Sequence, residues 1–252
     1  MIRFLLRASP IFVLLAIWEA VTALHMIKPF LLPAPHVVVF RLLHDVQNGD
    51  FMINAGLTLY RALMGFALAC LIGIPAGMLI ASDRFVRWFC EPLISVGFPM
   101  PKIAFLPVFM LWFGVYDLSK IIMVSFAAIF TVVASAEAGT RGVDRFMLWS
   151  ARAMGAGRLA VFREVVLPAA MPQFLTGLQI ALPVSLITAV AAEMLMGGAG
   201  LGGAMLAAGN YADSPGVFAG IVETSLVGLI AVAGMTQLRR RLLRWHAEFN
   251  PR

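Results

Sequence analysis

Two stretches of this chain are too apolar and too long for a water-soluble core. Residues 62–82 run without one charged side chain, and residues 165–192 are likewise uncharged. A helix that crosses a bilayer needs about 20 mainly apolar residues. Both stretches therefore read as membrane helices. With 61% of its 252 residues apolar and only 13% charged, the chain cannot bury the remainder in one soluble core either. Spans are expected near residues 9–27, 57–82, 92–115, 118–137, 172–196 and 216–238, giving an all-α membrane protein with six transmembrane helices.

The spans differ in character. The first contains Glu19 and His25 and is the least apolar. Arg3 and Arg7 precede it as in a signal peptide, but no small-residue cleavage site follows, so it reads as a retained helix. The second carries Gly73 and Gly77, small residues four apart that let another helix approach closely. The third is punctuated by Pro99, Pro101 and Pro107, which should break or bend it. The run 165–192 exceeds one straight crossing, so its first part is assigned to a loop and Pro172 to the start of the fifth span. Between the first two spans, Pro29, Pro33 and Pro35 lead into a helix-like stretch at 37–46. That segment is either a re-entrant or interfacial helix or a plain connector. The expected division is 1–56 for the first helix and connector, 57–238 for the membrane core and 239–252 for a basic tail.

The formal charge of +6 does not point to nucleic acid, because the basic residues gather at span ends instead of forming one basic domain. Their sidedness orients the chain. Fourteen arginines (Arg3, Arg7, Arg84, Arg87, Arg141, Arg145, Arg152, Arg158, Arg163, Arg239, Arg240, Arg241, Arg244 and Arg252) fall on one side, against Lys28, Arg41 and Lys120 on the other. Both termini are accordingly expected in the cytoplasm and 28–56 outside. The basic cluster after the last span suits an anionic lipid surface. Cys70 and Cys90 lie in or beside apolar runs and read as small buried hydrophobes.

Residues 151–168, ARAMGAGRLAVFREVVLP, form a basic knuckle between two apolar runs. Gly155, Ala156 and Gly157 supply a turn without bulky side chains. Arg152, Arg158 and Arg163 flank the turn, and Leu159, Phe162 and Val166 recur at helical spacing. Leu167-Pro168 is expected to stop the helix. With these residues in view, the segment resembles the EAA loop of the membrane-spanning subunits of bacterial ABC importers. Aligned on Gly155, the spacing to Val165, Leu167 and Pro168 is kept. Trp149-Ser150-Ala151 stands where that family has Glu-Ala-Ala, so only the last alanine matches.

The resemblance implies a type I ABC importer permease fold. It assigns ATPase coupling to Trp149, Ser150, Ala151, Arg152, Gly155, Ala156, Leu167 and Pro168. Further likeness lies in Pro99-Met-Pro-Lys-Ile-Ala-Phe-Leu-Pro107, Leu-Trp-Phe-Gly at 111–114, Leu118-Ser-Lys120, residues 139–144, and Ala-Ala-Glu193-Met-Leu before the glycine-rich 197–203. These are similar to permeases of the nitrate, sulfonate and taurine branch. The resemblance implies a bacterial inner-membrane location and a pore built from two permeases, in this branch a homodimer. It also implies two ATP-binding subunits that carry ATP and Mg, an extracytoplasmic solute-binding protein, and a small anionic solute moved by alternating access.

The residues themselves give no Walker A sequence, so ATP is expected on another chain. No Ser-His-Asp or His-Glu-x-x-His arrangement is present, and His25, His36, His44 and His246 are scattered. Catalysis, a bound metal and a resident cofactor are not expected. Ionisable residues within spans are costly and face a cavity or partner, which singles out Lys102, Glu193 and Glu223 as path or gate candidates. Lys102 either attracts an anion or snorkels to the interface. Glu193 serves a gate or a structural salt bridge. Glu223 pairs with one of these or faces a dimer interface, and Glu19 reads as an interfacial carboxylate. The alternative is an ion-coupled secondary transporter using Lys102, Glu193 and Glu223. That reading needs inverted repeats and matching broken helices, and the broken third span has no matching partner.

Overall fold

The computed structural model describes residues 2–245, so the expectations on His246 and the end of the basic tail lie outside the described residues. Within them the chain is helical, with no strand. In order the helices are α1 (Ile2–Ala23), α2 (Pro35–Asn48), α3 (Asp50–Ser82), α4 (Arg84–Gly97), α5 (Leu106–Phe113), α6 (Asp117–Arg141), α7 (Arg145–Ala153), the one-turn α8 (Arg158–Ala160), α9 (Leu167–Met196), α10 (Leu201–Asn210) and α11 (Ser214–Leu242). A 3-10 turn, Lys102–Phe105, precedes α5, and a π-helical turn, Val161–Val166, precedes α9.

Local chemistry sets several of these boundaries. Proline at the start of α2 brings a fixed φ suited to the first turn, and Gly49 closes the helix in the left-handed region at φ 84°. Asp83 caps α4 by accepting the amides of Phe85 and Val86 at 2.8 and 3.0 Å. Asp144 caps α7 through the Phe146 amide at 2.8 Å. The Arg87 guanidinium donates to the carbonyls of Ile80 and Ala81 at 3.2 and 2.7 Å, where α3 leaves its last carbonyls without helical partners.

Among the described residues, four helices are long and apolar enough to cross a membrane: α3, α6, α11 and the continuous stretch Arg158–Met196. A fifth crossing is available if α4 and the segment Lys102–Phe113 count as one span, bent by 96° at its break. The prolines expected to interrupt the third span do sit there, Pro99 and Pro101 inside the break and Pro107 in the first turn of α5. The apolar part of α1, Phe12–Ala23, is shorter than a full crossing, so length and composition do not reach the expected sixth span.

Leu167-Pro168 does not end a helix as expected. The Leu167 amide reaches back five residues to the Phe162 carbonyl, and α9 starts there. Proline needs no donor in a first turn, and the π-helical turn before it shifts the hydrogen-bond register. Pro172 lies inside α9 instead of starting it.

The chain divides into two compact units. One holds the chain up to Thr58 together with Glu193–Val227; the other holds Leu59–Ala192 and the chain from Gly228 onward. In the second unit α6 is the central helix. Gly65, Ala69, Gly73 and Gly77 of α3 recur every four residues and so share one face. A Cβ at Gly65 would lie 2.6 Å from Val124, one at Gly73 2.9 Å from Val132, and one at Gly77 2.5 Å from the Val133 carbonyl oxygen. On α9, a Cβ at Gly177 would meet the Ser135 hydroxyl at 1.9 Å. Small residues thus bring backbones together where an apolar solvent offers no hydrophobic drive. Ala69, Ala128, Val132 and Ala181 form the buried centre of this contact.

The first unit contains α1, α2, the beginnings of α3 and α11, the end of α9, and α10. The Trp18 indole donates to the Pro33 carbonyl at 3.0 Å and its ring lies 5.8 Å from Phe218. Glu19 meets the His36 ring at 2.9 Å on an exposed surface. The helix-like stretch read at 37–46 is realised within α2.

Candidate functional site

The knuckle is built as a rigid turn. At the end of α7 the Gly155 amide donates to the Arg152 carbonyl at 3.0 Å and the Ala156 amide to the Ala151 carbonyl at 3.1 Å. This is the double bond pattern that closes a helix through a left-handed residue, and Gly155 takes that position at φ 87°. Ala151, Arg152, Gly155 and Ala156 are thereby tied into one structural unit. Gly157 then accepts the Val161 amide at 2.9 Å and starts the next turn.

One face of the knuckle is buried. Leu148, Val165, Val166 and Leu167 pack on a cluster of Met78, Ala136, Val143, Ala170 and Phe174. Ala151 is 6% exposed and Val161 5%. The other face carries Phe146, Trp149, Met154 and Leu159 with more than half of each side chain exposed. Phe146 and Trp149 meet edge to face at 5.5 Å. The structure thus brings Trp149 and Ser150 to the exposed face and Ala151 to the buried one, with Leu167 under the loop.

Lys102 belongs to the same unit, at the break after α4. Its ammonium donates to the Phe98 carbonyl at 2.6 Å and lies 5.5 Å from the centres of both the Phe98 and Phe130 rings. Phe126 and Phe130 continue an aromatic row with Phe105 and Phe109. The lysine therefore closes the broken end of a helix against aromatic faces.

Glu193 and Glu223 lie in the first unit. Glu193 is fully buried, and its Oε2 accepts the Thr58 hydroxyl at 2.8 Å and the Gly202 amide at 3.0 Å. The Thr58 hydroxyl in turn accepts the Leu201 amide at 2.9 Å, and Asn54 Oδ1 accepts the Gly200 amide at 2.9 Å. Side chains from α3 and α9 thus satisfy the first amides of α10, and the carboxylate complements the positive end of that helix. Gly200, at φ 123°, permits the approach: a Cβ there would lie 2.4 Å from the Glu193 carboxyl carbon. Glu223 lines a separate cavity of about 250 Å³, and its Oε1 is buried without a hydrogen-bond partner.

Two buried charges, Arg61 and Lys120, were not singled out as site candidates in the sequence. Arg61 is 4% exposed within α3, and its guanidinium reaches Asp117 at 2.7 Å at the start of α6. The signal was a lone arginine close to an uncharged run, which positive-inside reasoning treats only as a topology marker.

Long apolar helices, one of them broken by prolines, and one polar-flanked knuckle over a buried base make this a helical membrane transport subunit. The chain belongs to the family of binding-protein-dependent transport system inner membrane components, whose match covers residues 73–244. The taurine transport system permease protein TauC of Escherichia coli (strain K12) is 36% identical over 243 residues, 94% of this chain and 88% of that protein. The putative aliphatic sulfonates transport permease protein SsuC of Bacillus subtilis (strain 168) is 29% identical over 94% of this chain and 86% of that protein. The fold is similar to that of a chain of the MetNI methionine ABC transporter, solved in inward-facing conformations, at 20% identity with a TM-score of 0.64 over 75% of this chain and 94% of that one. An amino acid ABC transporter with histidines shares it, with a TM-score of 0.65 over 81% and 97%. The chain is a transmembrane ABC permease subunit, and in this family ATP hydrolysis is the task of a partner ATPase.

Proposed function

We propose that two copies of this chain form the path of an ATP-driven importer for small organic sulfonates, with both termini in the cytoplasm. A solute-binding protein delivers solute at the outer face, and two ATPase subunits bind ATP and Mg. The knuckle seats in a cleft of the ATPase and passes its movement into α6 and α9. The coupling set is Trp149, Ser150, Ala151, Arg152, Gly155, Ala156, Leu167 and Pro168.

The observation that carries this reading is the two-sided knuckle. Its apolar base is fastened to the helical core, while Phe146, Trp149, Met154 and Leu159 are left uncovered. A compact exposed apolar patch on a rigid turn suits a protein partner. Trp149, where related loops carry an acid, makes the contact aromatic instead of ionic. The sulfonate class is supported by the relatives named for taurine and aliphatic sulfonates. No observation favours an ion-coupled transporter working alone.

Co-purification from membranes tests the coupling. Trp149→Ala, which removes the exposed ring without supplying the acid of related loops, is expected to lose the ATPase while the permease stays monodisperse; retention of the ATPase at native levels would refute the docking role of Trp149. Uptake in proteoliposomes containing all subunits tests the solute, with ethanesulfonate and taurine as probes.

A further inference from the structure

We infer that the cavity beside Glu223 receives an organic ammonium group, an inference that rests on the proposed sulfonate importer for its solute arm only. The cavity holds about 250 Å³ and lies wholly within the first unit. Its ionisable lining is four carboxylates, Asp45, Asp50, Asp213 and Glu223, against the single guanidinium of Arg41. Arg41 is already engaged, bonding Asp45 at 3.0 Å and Asp213 at 2.8 Å. Asp50 sits exposed in the first turn of α3. Glu223 is 6% exposed, and its Oε1 has no hydrogen-bond partner.

A buried carboxylate oxygen left unpaired is expensive, and a second carboxylate nearby raises the cost. A bound cation removes that cost. Among the described residues, no group of His, Cys, Asp and Glu side chains is arranged to hold a metal ion. The cavity also exceeds the size of a bare ion, and it mixes carboxylates with Phe51, Met205 and Ala204. An ammonium on a short alkyl chain meets both kinds of lining: its charge and donors face the carboxylates and its methylenes face the apolar wall.

The wall itself is held by close helix packing. Gly216, Gly220 and Glu223 fall on one face of α11. A Cβ at Gly220 would lie 2.3 Å from Met205 of α10. The carboxylate is thus positioned by a glycine contact, not by an ion pair. The ammonium belongs either to the solute or to a lysine of the solute-binding protein, and the two sources are separable.

The test uses the full chain in lipid nanodiscs. Modification of Glu223 by a hydrophobic carbodiimide is followed by peptide mass spectrometry as loss of the unmodified peptide, so that the N-acylurea and the N-ethylamide formed with the amine both count, while ethylammonium chloride is raised through the millimolar range. Sodium chloride and sodium ethanesulfonate are the controls. Ethylammonium alone is expected to slow labelling by about tenfold at saturation. No slowing by ethylammonium, or equal slowing by sodium, overturns the inference. A second arm compares uptake of taurine and ethanesulfonate by the reconstituted transporter, native and Glu223→Gln, a near-isosteric change. If the solute supplies the ammonium, taurine uptake falls by about tenfold or more and ethanesulfonate uptake holds. If the binding protein supplies it, both uptakes fall together with association of that protein. Unchanged uptake and association overturn the inference. A native chain that moves neither sulfonate refutes the solute class alone, and the labelling arm still decides the cavity.

Discussion

Thr58 and Glu193 lie 135 positions apart in the chain, yet the threonine hydroxyl donates to the Glu193 carboxylate at 2.8 Å and accepts the Leu201 amide at 2.9 Å. The pair caps α10 from outside, a task usually given to the residue just before a helix. Gly200 occupies that place and has no side chain to offer. Glu193→Ala is expected to lower stability by about 2–3 kcal/mol, because it removes a charged acceptor from a buried amide and hydroxyl. Glu193→Gln keeps an acceptor oxygen and should lose less. Melting temperatures of the native protein and the two variants in detergent check the order; three equal values would show that the cap contributes nothing.

The glycine register of α3 gives a graded prediction. At Gly77 an added Cβ would lie 2.5 Å from a backbone oxygen of α6, which cannot yield without moving the helix. At Gly73 the nearest atom is the Val132 side chain at 2.9 Å, which has some freedom to shift. Gly77→Ala is therefore expected to cost about 1–3 kcal/mol and Gly73→Ala less. In α11, nothing lies within 4 Å of a Cβ at Gly228 or Gly234, so alanine there should be neutral or stabilising by up to about 1 kcal/mol. Thermal unfolding of the four single variants measures the series.

Lys102→Met removes the donor to the Phe98 carbonyl at the bent span and leaves the methylene stem on the aromatic faces. A charged hydrogen bond is worth about 1.5–3 kcal/mol at most, and solvent at this half-exposed site reduces it. A modest fall in melting temperature with uptake unchanged is the expected outcome. Uptake lost without any change in melting would instead return the lysine to the role of attracting an anionic solute.

Four of the expected spans and the turn at Gly155 were legible because their signals are local: uncharged runs of bilayer length, and glycines between two helical stretches. The breaks were legible too, since Pro99 and Pro101 act on their own neighbours. What stayed hidden depends on distant partners. The helix at 201–210 was not foreseen after the glycine-rich 197–203, because the groups that cap it are Asn54, Thr58 and Glu193. Likewise, nothing local to Glu193 shows that its carboxylate accepts the Thr58 hydroxyl and the Gly202 amide. Pro168 misled for a related reason. The rule that proline ends helices is a statement about interiors, and here a π-helical turn places it in a first turn. Arg61 was hidden by its setting, since topology rules count charges without asking which ones are buried.

Gly155 supports the sharpest test of how the knuckle works. Its φ of 87° lies in the left-handed region, and open space surrounds the position of a Cβ. Any loss on substitution must therefore come from backbone strain or from the partner side, not from a clash inside this chain. Asparagine tolerates the left-handed region, whereas valine is strongly disfavoured there. Gly155→Asn is expected to keep the turn and most ATPase association. Gly155→Val should disturb the hydrogen bonds at the end of α7, tilt Trp149 and weaken association by about tenfold, while α6 and α9 keep their own packing. Association measured by titrating the ATPase against nanodisc-embedded permease separates the two. If asparagine and valine weaken binding equally, the glycine is needed because the partner's surface fills the open space at residue 155, and the turn geometry is secondary. If only valine does, the ATPase reads a shape set by a single left-handed residue.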